Sequence, residues 1–387
     1  MITEVTGTNT QNKGAELMLV AIREHFADRP GVQLAVNQFF GTYAERAKYG
    51  LLQKVDLNGW GRSRVAVTLM PAEFRRSFGL VRDDDVDVLL DASGFAFGDQ
   101  HPPWRTLQFA KRVEAVTQAG KDVILLPQAL GPFETPAIRE AFARIVDAAD
   151  LVFARDDVSM KHAQDAAGKP DHLKQAPDFT NLVEPDRAVE GDASSRATVV
   201  PNQRMVEKAD TEEEAAAYVP LMGRCIEAVA ETGLEPVLLL HEEEDDELAS
   251  DIQEHVERDI PVHQKTDPVA LKRFLGESHL VVGSRFHALV GALSQGVPAI
   301  GTSWSHKYEM LFEEYECSDM LLPIRADERR VRECVTAATG DRRVELTGRI
   351  REAGMQLEQE TITMWRQVDE VIDARVEEVN KNVAAQV

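Results

Sequence analysis

The stretch that decides the fold is His279-Leu280-Val281-Val282-Gly283-Ser284-Arg285-Phe286-His287-Ala288, which continues through Gly296-Val297-Pro298-Ala299-Ile300 to Ser305-His306-Lys307. The β-branched run at 280–282 predicts a short buried strand, and Gly283-Ser284 ends it. A helix with apolar residues at helical spacing follows, and Gln295-Gly296 ends it before a second strand at 297–300. Two loops therefore follow the carboxyl ends of neighbouring parallel strands, where open α/β sheets bind ligands.

Cationic side chains occupy both loops. Arg285 and His287 follow the first strand, and His306 and Lys307 follow the second, in a chain whose net charge is -23. We expect Ser284 to cap the helix, Arg285 to offer its planar fork to an anion, and His287 to donate a hydrogen bond or a proton. The pattern predicts an anion site, for a phosphate group. The alternative is an ordinary helix start with an exposed arginine and a surface lysine.

The composition limits the classes of function. A chain of 387 residues exceeds one typical core, so two domains are expected. The acidic charge argues against nucleic acid or an anionic membrane surface as a partner. No apolar run approaches the roughly 18 residues of a membrane span, and no signal peptide is expected at the N-terminus. Three cysteines without a C-x-x-C pair predict a reduced, cytoplasmic compartment.

Strand, loop and helix patterns alternate in both halves of the chain. The predicted strands lie at 2–7, 32–39, 86–90, 122–126, 151–153, 197–201, 235–240, 261–263, 280–282, 297–300 and 320–323. This repeat predicts an α/β protein with two doubly wound, Rossmann-like domains facing a cleft, a GT-B-like arrangement. Residues 43–78 are expected to hold two helices around a turn at Asn58-Gly59, and the polar segment 184–196 to be the linker.

The predicted domain boundaries follow from these patterns. Residues 1–188 form the N-terminal α/β domain. Residues 196–325 form the C-terminal α/β domain, and 326–387 form a helical extension that packs back.

Further candidate residues stand at other strand ends and helix starts. Arg155 could reach across the cleft or could pair with a neighbouring aspartate to fix its turn. Asn12 and Glu16 could orient substrate hydroxyls or supply a base, or they could simply begin a helix. His241 precedes an acidic run at 242–247 but has no second histidine at ligand spacing, so no metal is predicted. The chain has no P-loop, no G-x-S-x-G elbow and no G-x-G-x-x-G fingerprint.

Taken together, these motifs resemble one family, the polysaccharide pyruvyl transferases. The matching pieces are Asn12-Lys13-Gly14-Ala15-Glu16, Asp91-Ala92-Ser93-Gly94 with Gly98-Asp99, Leu126-Pro127-Gln128-Ala129-Leu130-Gly131-Pro132, Arg155-Asp156 with Ser159, Ala176-Pro177-Asp178, Ser284-Arg285-Phe286-His287-Ala288, Gly296-Val297-Pro298-Ala299-Ile300 and Lys307. The R-x-H helix start, the G-V-P strand entry and the following lysine are specific only in combination.

The resemblance implies a GT-B-like fold and transfer of the enolpyruvyl group of phosphoenolpyruvate to a glycan sugar, as a ketal, with phosphate released and no cofactor. It places the donor-binding cations at Arg155, His287 and Lys307, with Arg285 and Ser284 adjacent. His287 would bind phosphate or deliver a proton.

The resemblance also implies roles on the acceptor side. Asn12 and Glu16 would face the acceptor, and the loop with Gly94 and Asp99 would shape the cleft. Ala15 stands where the family's N-x-G-D loop has its aspartate, and Glu16, the next residue, is the candidate to take over the role of the base.

Two other functions fit the same residues. One is a GT-B glycosyltransferase that uses a nucleotide sugar, with Glu309 or the acidic run at 242–247 on the ribose. The other is a homologue that binds a sugar or an anion without turnover, which the alanine at position 15 would explain.

Overall fold

The computed structural model describes residues 1–55, 70–185, 195–209, 211–241, 245–302 and 305–384. Contacts divide the chain into two compact units. Unit 1 comprises Met1–Thr10, Met18–Phe179 and the segment from Glu360 onward, and unit 2 comprises Gln11–Leu17 and Thr180–Gln359.

Unit 1 contains a parallel sheet of eight strands within the described residues, in the order β4-β3-β2-β1-β5-β6-β7-β8. The strands are β1 (Ile2–Thr6), β2 (Gln33–Asn37), β3 (Leu52–Lys54), β4 (Leu80–Val81), β5 (Val88–Asp91), β6 (Asp122–Gln128), β7 (Leu151–Ala154) and β8 (Leu173–Gln175). The helices are α1 (Lys13–Phe26, which begins in unit 2), α2 (Tyr43–Lys48), α3 (Ala72–Ser77), α4 (Pro103–Gln118), α5 (Pro136–Ala148) and α6 (Asp157–Ala167). Strands β5 and β7 are buried along their whole length, as continuous apolar runs in a covered parallel sheet should be.

Unit 2 contains a parallel sheet of six strands in the part of the chain that the structure describes, in the order β11-β10-β9-β12-β13-β14. The strands are β9 (Arg196–Val200), β10 (Glu235–Leu240), β11 (Val262–Gln264), β12 (Leu280–Gly283), β13 (Ala299–Thr302) and β14 (Leu321–Leu322). The helices are α7 (Arg204–Glu207), α8 (Glu212–Glu231), α9 (Asp246–Val256), α10 (Pro268–Gly276), α11 (Phe286–Leu293), α12 (His306–Glu314), α13 (Glu328–Thr339) and α14 (Arg343–Ala384, which ends in unit 1). The two sheets confirm the predicted doubly wound α/β class, and α13 and α14 confirm the predicted C-terminal helices.

Each sheet has one point where the strand order reverses direction. In unit 1 the chain builds outward from β1 to β4 and then restarts on the other side of β1 with β5, so Thr6 pairs with Asp91. In unit 2 it builds outward from β9 to β11 and restarts with β12, so Val200 pairs with Gly283. The carboxyl ends of the strands at such a switch point form the ligand crevice of open α/β sheets. The stretch that opened the sequence analysis therefore lies at the switch point of unit 2.

Helix α11 is held at this switch point by burial. Leu289, Val290 and Leu293 are almost completely shielded from solvent in the core of unit 2. Each such side chain contributes about 1.5–3 kcal/mol to folding relative to an exposed one. The helix start that carries His287 is therefore anchored by its own apolar residues.

Helix α14 is anchored in unit 1 by its second half. The ring of His25 stacks on Trp365 with centroids 4.0 Å apart, and its Nε2 lies 2.8 Å from the Asp369 carboxylate. Arg375 donates to the Asp122 carboxylate. None of the described helices is long and apolar enough to cross a membrane.

The prediction for residues 43–78 is wrong in part. Besides α2 and α3, this region contains the short strand β3, and β4 follows it directly; β8 was also missed. Runs of two or three residues carry too little alternation to be recognised, and their pairing at the sheet edges defines them. The predicted turn at Asn58-Gly59 lies outside the described residues, as do positions 186–194 of the predicted linker.

Candidate active site

Four basic side chains share the carboxyl edge of the unit 2 sheet, and we call them the cationic cluster: Lys13, His241, Arg285 and His287. Strand β10 ends at Leu240, so His241 is the first residue of its loop, and Arg285 and His287 follow β12. The charges of Lys13, Arg285 and His287 all act on the imidazole of His241. The structure thus brings residues from three parts of the sequence to one electropositive site.

Ser284 fixes the turn that carries Arg285 and His287. Its hydroxyl accepts a hydrogen bond of 2.9 Å from Tyr218 and shares one of 2.7 Å with Thr302. The expectation that Ser284 caps helix α11 is therefore wrong. Arg285 occupies the N-cap position and its side chain makes no capping bond, while the Ser284 hydroxyl points into a buried polar network. Two hydroxyl partners in the interior compete successfully with the backbone of the helix.

The carbonyl of Ser284 is held as firmly as its hydroxyl. The side-chain amide of Asn202 donates to it over 2.6 Å, and the hydroxyl of Tyr308 donates over 2.9 Å. Asn202 follows β9, the strand beside β12, and Tyr308 lies in the first turn of α12. These contacts tie the loop after β9 and the first turn of α12 to Ser284, which holds the turn after β12 in place before any ligand binds.

Arg285 is buried and paired. Its Nη2 donates to the Asp245 carboxylate over 2.5 Å, and Arg285 and Asp245 are 7% and 0% exposed. The alternative of an exposed arginine at a helix start does not hold. A guanidinium presents five donors in a planar fork, which is the geometry that carboxylate and phosphate oxygens match.

The loop at 12–16 lies against His287. A Cβ atom at position 14 would lie 2.2 Å from Nδ1 of His287, so only glycine allows this approach. Asn12 caps helix α1, because its Oδ1 accepts from the backbone amides of Gly14 and Ala15 at 2.9 and 3.1 Å. Asn12 thus serves as a helix cap, which is one of the two alternatives that the sequence left open.

Glu16 pairs with the first cation of the cluster. Its carboxylate lies 2.7 Å from Nζ of Lys13, and Glu16 is only 3% exposed. A buried carboxylate is therefore held beside the cationic cluster, one residue after the alanine that replaces the expected aspartate.

His241 is a neutral member of the cluster. Burial lowers the pKa of its imidazole, and the positive charges of Arg285, His287 and Lys13 lower it further, well below the ordinary value. At neutral pH its ring can both donate and accept a hydrogen bond. The sequence analysis considered His241 only as a metal ligand, because an acidic run follows it, and so did not place it beside Arg285 and His287.

Lys307 lies next to the turn. It begins helix α12 with His306, and its Nζ is 5.3 Å from the ring centroid of Phe286 and 5.4 Å from that of Tyr308. An ammonium group held over two aromatic faces is attracted by their quadrupoles. The prediction that Lys307 and Arg285 share one edge of the sheet agrees with this geometry.

Arg155 belongs to unit 1 and follows β7. It is 3% exposed, and its Nη1 lies 3.3 Å from the Asp178 carboxylate. Asp156 caps helix α6 through the amide of Ser159 at 2.7 Å. Arg155 thus makes an ion pair within unit 1, though with Asp178 rather than with the neighbouring aspartate.

Gly94 and Asp99 lie in the loop after β5. Gly94 has a φ of +68°, a left-handed backbone conformation that glycine adopts more readily than other residues. The Asp99 carboxylate accepts from the amides of Glu134 and Thr135 at 2.6 and 3.1 Å. Burial raises the pKa of this carboxyl, but those hydrogen bonds together bring it below its ordinary value. The carboxylate of Asp99 thus braces the start of helix α5.

A buried carboxyl group, that of Asp91, lies at the switch point of unit 1 among hydroxyl and amide side chains. Asp91 accepts from Thr6 at 3.0 Å, from Ser93 at 2.7 Å and from Gln128 at 3.1 Å. Burial raises the pKa of Asp91 above its ordinary value, although these bonds oppose the effect. The described partners of Asp91 are thus two hydroxyl groups and one amide, whereas the cationic cluster of unit 2 consists of basic side chains.

The nine predicted site residues fall into two sets. Those in unit 2 are Asn12, Glu16, Ser284, Arg285, His287 and Lys307, and those in unit 1 are Arg155, Gly94 and Asp99. No group of three histidine, cysteine, aspartate or glutamate side chains in the described ranges is placed to hold a metal ion.

The fold is similar to those of several solved nucleotide-sugar proteins. HepE of Anabaena, solved with UDP-glucose, has a TM-score of 0.58 at 13% identity, over 96% of this chain and 99% of that one. The UDP-GlcNAc 2-epimerase of Neisseria meningitidis, bound to UDP-GlcNAc, gives 0.56 at 9% identity, over 96% and 99%. MnaA of S. aureus with UDP gives 0.55 at 14%, over 91% and 90%. Such low identities establish the GT-B-type fold alone.

Sequence comparison is more specific. No curated protein sequence matches the chain. The family model for polysaccharide pyruvyl transferase matches residues 12–306, which is well over half of the chain and includes every predicted site residue except Lys307. This family indicates pyruvyl transfer to a polysaccharide. The chain therefore belongs to the polysaccharide pyruvyl transferase family and is a transferase.

Proposed function

We propose that this protein transfers the enolpyruvyl group of phosphoenolpyruvate to a sugar of a glycan or glycan precursor and releases phosphate. The cationic cluster carries the proposal. Lys13, Arg285 and His287 meet at the switch point of unit 2 in a chain of net charge -23, and phosphoenolpyruvate presents both a phosphate and a carboxylate. Arginine and lysine are the residues that bind such groups.

The reaction needs a proton donor, a proton acceptor and stabilisation of negative charge, and it needs no cofactor. A proton is delivered to the methylene carbon of the donor, which makes C2 electrophilic. A first sugar hydroxyl adds to C2 and gives up its proton. A second hydroxyl on the same sugar then attacks C2, the C2–O bond to phosphate breaks, and phosphate leaves with the bonding electrons and the second proton.

Residues of unit 2 suit these roles. His287 is the candidate proton donor or phosphate ligand, because its imidazole lies against the loop that carries Lys13. Glu16 is the candidate base, because its buried carboxylate is held at 2.7 Å from Lys13. Arg285 and Lys307 would bind the anionic groups of the donor, and Ser284 and Asn12 would hold the two loops in position.

Unit 1 carries the remaining candidates. The loop with Gly94 and Asp99 stands beside a hydroxyl-rich switch point, which suits a sugar better than an anion. We assign this loop to the acceptor. Arg155 stays a predicted donor-binding residue.

One assay tests the proposal. The protein is incubated with phosphoenolpyruvate and a panel of glycans, and phosphate release and the mass of each glycan are followed. We expect phosphate release only with an acceptor, and a glycan that gains one pyruvyl ketal. His287→Ala should abolish turnover. His263→Ala should not, because His263 lies in strand β11 with its ring tilted against that of Phe274.

The competing function predicts another result. A glycosyltransferase would bind a nucleotide sugar, as HepE of Anabaena was solved with UDP-glucose. If UDP-glucose raised the melting temperature while phosphoenolpyruvate had no effect with any glycan, pyruvyl transfer would be refuted.

A further inference from the structure

We propose that His241 is a further ligand-binding residue of the anion site, one that contributes a hydrogen bond to the phosphate or carboxylate of the donor. The inference rests on the proposed function for the identity of the donor. His241 lies outside the Arg285-Phe286-His287 motif and is distinct from Lys307, so it is an additional residue of the site.

The position of His241 is the first argument. It follows β10, which is separated from β12 in the sheet only by β9, so its loop opens on the same edge as Arg285 and His287. His241 is 5% exposed, yet it is coupled to the charges of all three other cluster members. A buried side chain at the carboxyl end of a strand next to the switch point faces the ligand crevice of this fold.

The hydrogen bonding of His241 is the second argument. Its Nδ1 is buried, and none of the described residues hydrogen-bonds to it. A buried polar atom without a partner costs about 1–3 kcal/mol, so its position calls for a partner such as a water molecule, an ion or a ligand. Among the described residues, Arg285, His287 and Lys13 act on the imidazole through their positive charges, and positively charged groups do not accept a hydrogen bond from it.

The chemistry of the ligand follows from these neighbours. An anion that enters the cluster is attracted by Lys13, Arg285 and His287 and offers oxygen atoms as acceptors. The neutral imidazole can donate its N–H to such an oxygen, and in the free protein it adds no further positive charge to those of the other three residues. A phosphate or a carboxylate supplies an acceptor oxygen for the imidazole and is attracted by the cations, whereas a neutral sugar gains no such attraction.

Isothermal titration with phosphoenolpyruvate, and separately with inorganic phosphate, tests this role. His241→Leu removes both ring nitrogens, and His241→Asn keeps an amide nitrogen near the place of Nδ1. We expect His241→Leu to bind about tenfold to a hundredfold more weakly than wild type. His241→Asn should retain most of the affinity. His263→Leu is the matched control, since His263 lies in the neighbouring strand β11 and packs on Phe274.

The outcomes separate the inference from the proposed function. Each variant is first checked by circular dichroism, and His241→Ala, which also removes both ring nitrogens, replaces the leucine variant if that variant does not fold. Unchanged affinity in the folded variant that lacks both ring nitrogens would overturn the role of His241 while pyruvyl transfer stands. Phosphate binding that depends on His241 without any transfer reaction would support the role and overturn the proposed function. If wild type bound neither anion, both would be overturned.

Discussion

Gly14→Ala should damage the active site through a single methyl group. The added Cβ would lie 2.2 Å from Nδ1, 2.6 Å from Cγ and 3.0 Å from Cβ of His287. Ordinary van der Waals contact between such atoms begins at about 3.5 Å, so the ring must move by about 1.3 Å. Rotation about χ1 alone is insufficient because the Cβ atom of His287 is itself too close.

Two opposing effects set the magnitude. Alanine is the better residue within a helix by roughly 0.5–1 kcal/mol, and Gly14 lies in the first turn of α1. Overpacking against His287 costs about 1–3 kcal/mol, so the clash should prevail and stability should fall by about 1–2 kcal/mol. A catalytic group misplaced by about 1 Å loses about a hundredfold in rate, so kcat/KM should fall by about that factor.

The assay combines urea denaturation with kinetics of acceptor-dependent phosphate release. Gly348→Ala is the control, because a Cβ at position 348 meets nothing within 4 Å and the residue lies within helix α14. The control should be as active as wild type and slightly more stable. Wild-type stability and activity in Gly14→Ala would refute the proximity of this loop to His287 and the role assigned to it.

Three further predictions concern buried charges in unit 2. Asp245→Asn removes the negative charge of a buried ion pair with Arg285 and should cost about 3–5 kcal/mol in urea denaturation. Exposed Asp246→Asn should be neutral, and equal effects would contradict the pair. Lys272→Met removes an ammonium that donates to the carbonyls of Thr180 and Asn181 at 2.8 and 3.2 Å. The free energy of unfolding should fall by about 2–4 kcal/mol. Exposed Lys208→Met is the control and should show no loss of stability. The lowered pKa of His241 means that the unfolded chain binds a proton first as pH falls below about 6.5, so folded-state stability is lost on acidification by as much as about 1.4 kcal/mol per pH unit. His241→Asn should flatten the dependence of unfolding free energy on pH between 7 and 5, and parallel curves would disprove it.

Much of the fold is readable in the sequence because the buried strands are continuous apolar runs. Strands such as β5 and β12 lie in fully covered parallel sheets, so their residues form an uninterrupted signal bounded by glycine. The edge strands β3 and β4 have only three and two residues, and their identity depends on pairing with neighbours. Local pattern therefore predicts the centre of each sheet better than its margins.

The candidate site divides in the same way. Arg285, His287 and Lys307 are visible because they follow adjacent strands in one continuous stretch. His241 and Asp245 join them through the strand order of the sheet, which places β10 near β12 although about 40 residues separate them. The role of Ser284 was misjudged for a related reason, because its partners Tyr218 and Thr302 are supplied by distant segments.

The buried pair of Arg285 and Asp245 has a consequence for the rate and the affinity of ligand binding. An arginine on an open surface must be immobilised when it clamps an anion, which costs about 0.5–1.5 kcal/mol, or up to about tenfold in affinity. Here Asp245 restricts the guanidinium during folding. If Arg285 binds the donor as proposed, the donor meets an ordered side chain, and its association should be governed by diffusion and long-range attraction rather than by a slow search among rotamers.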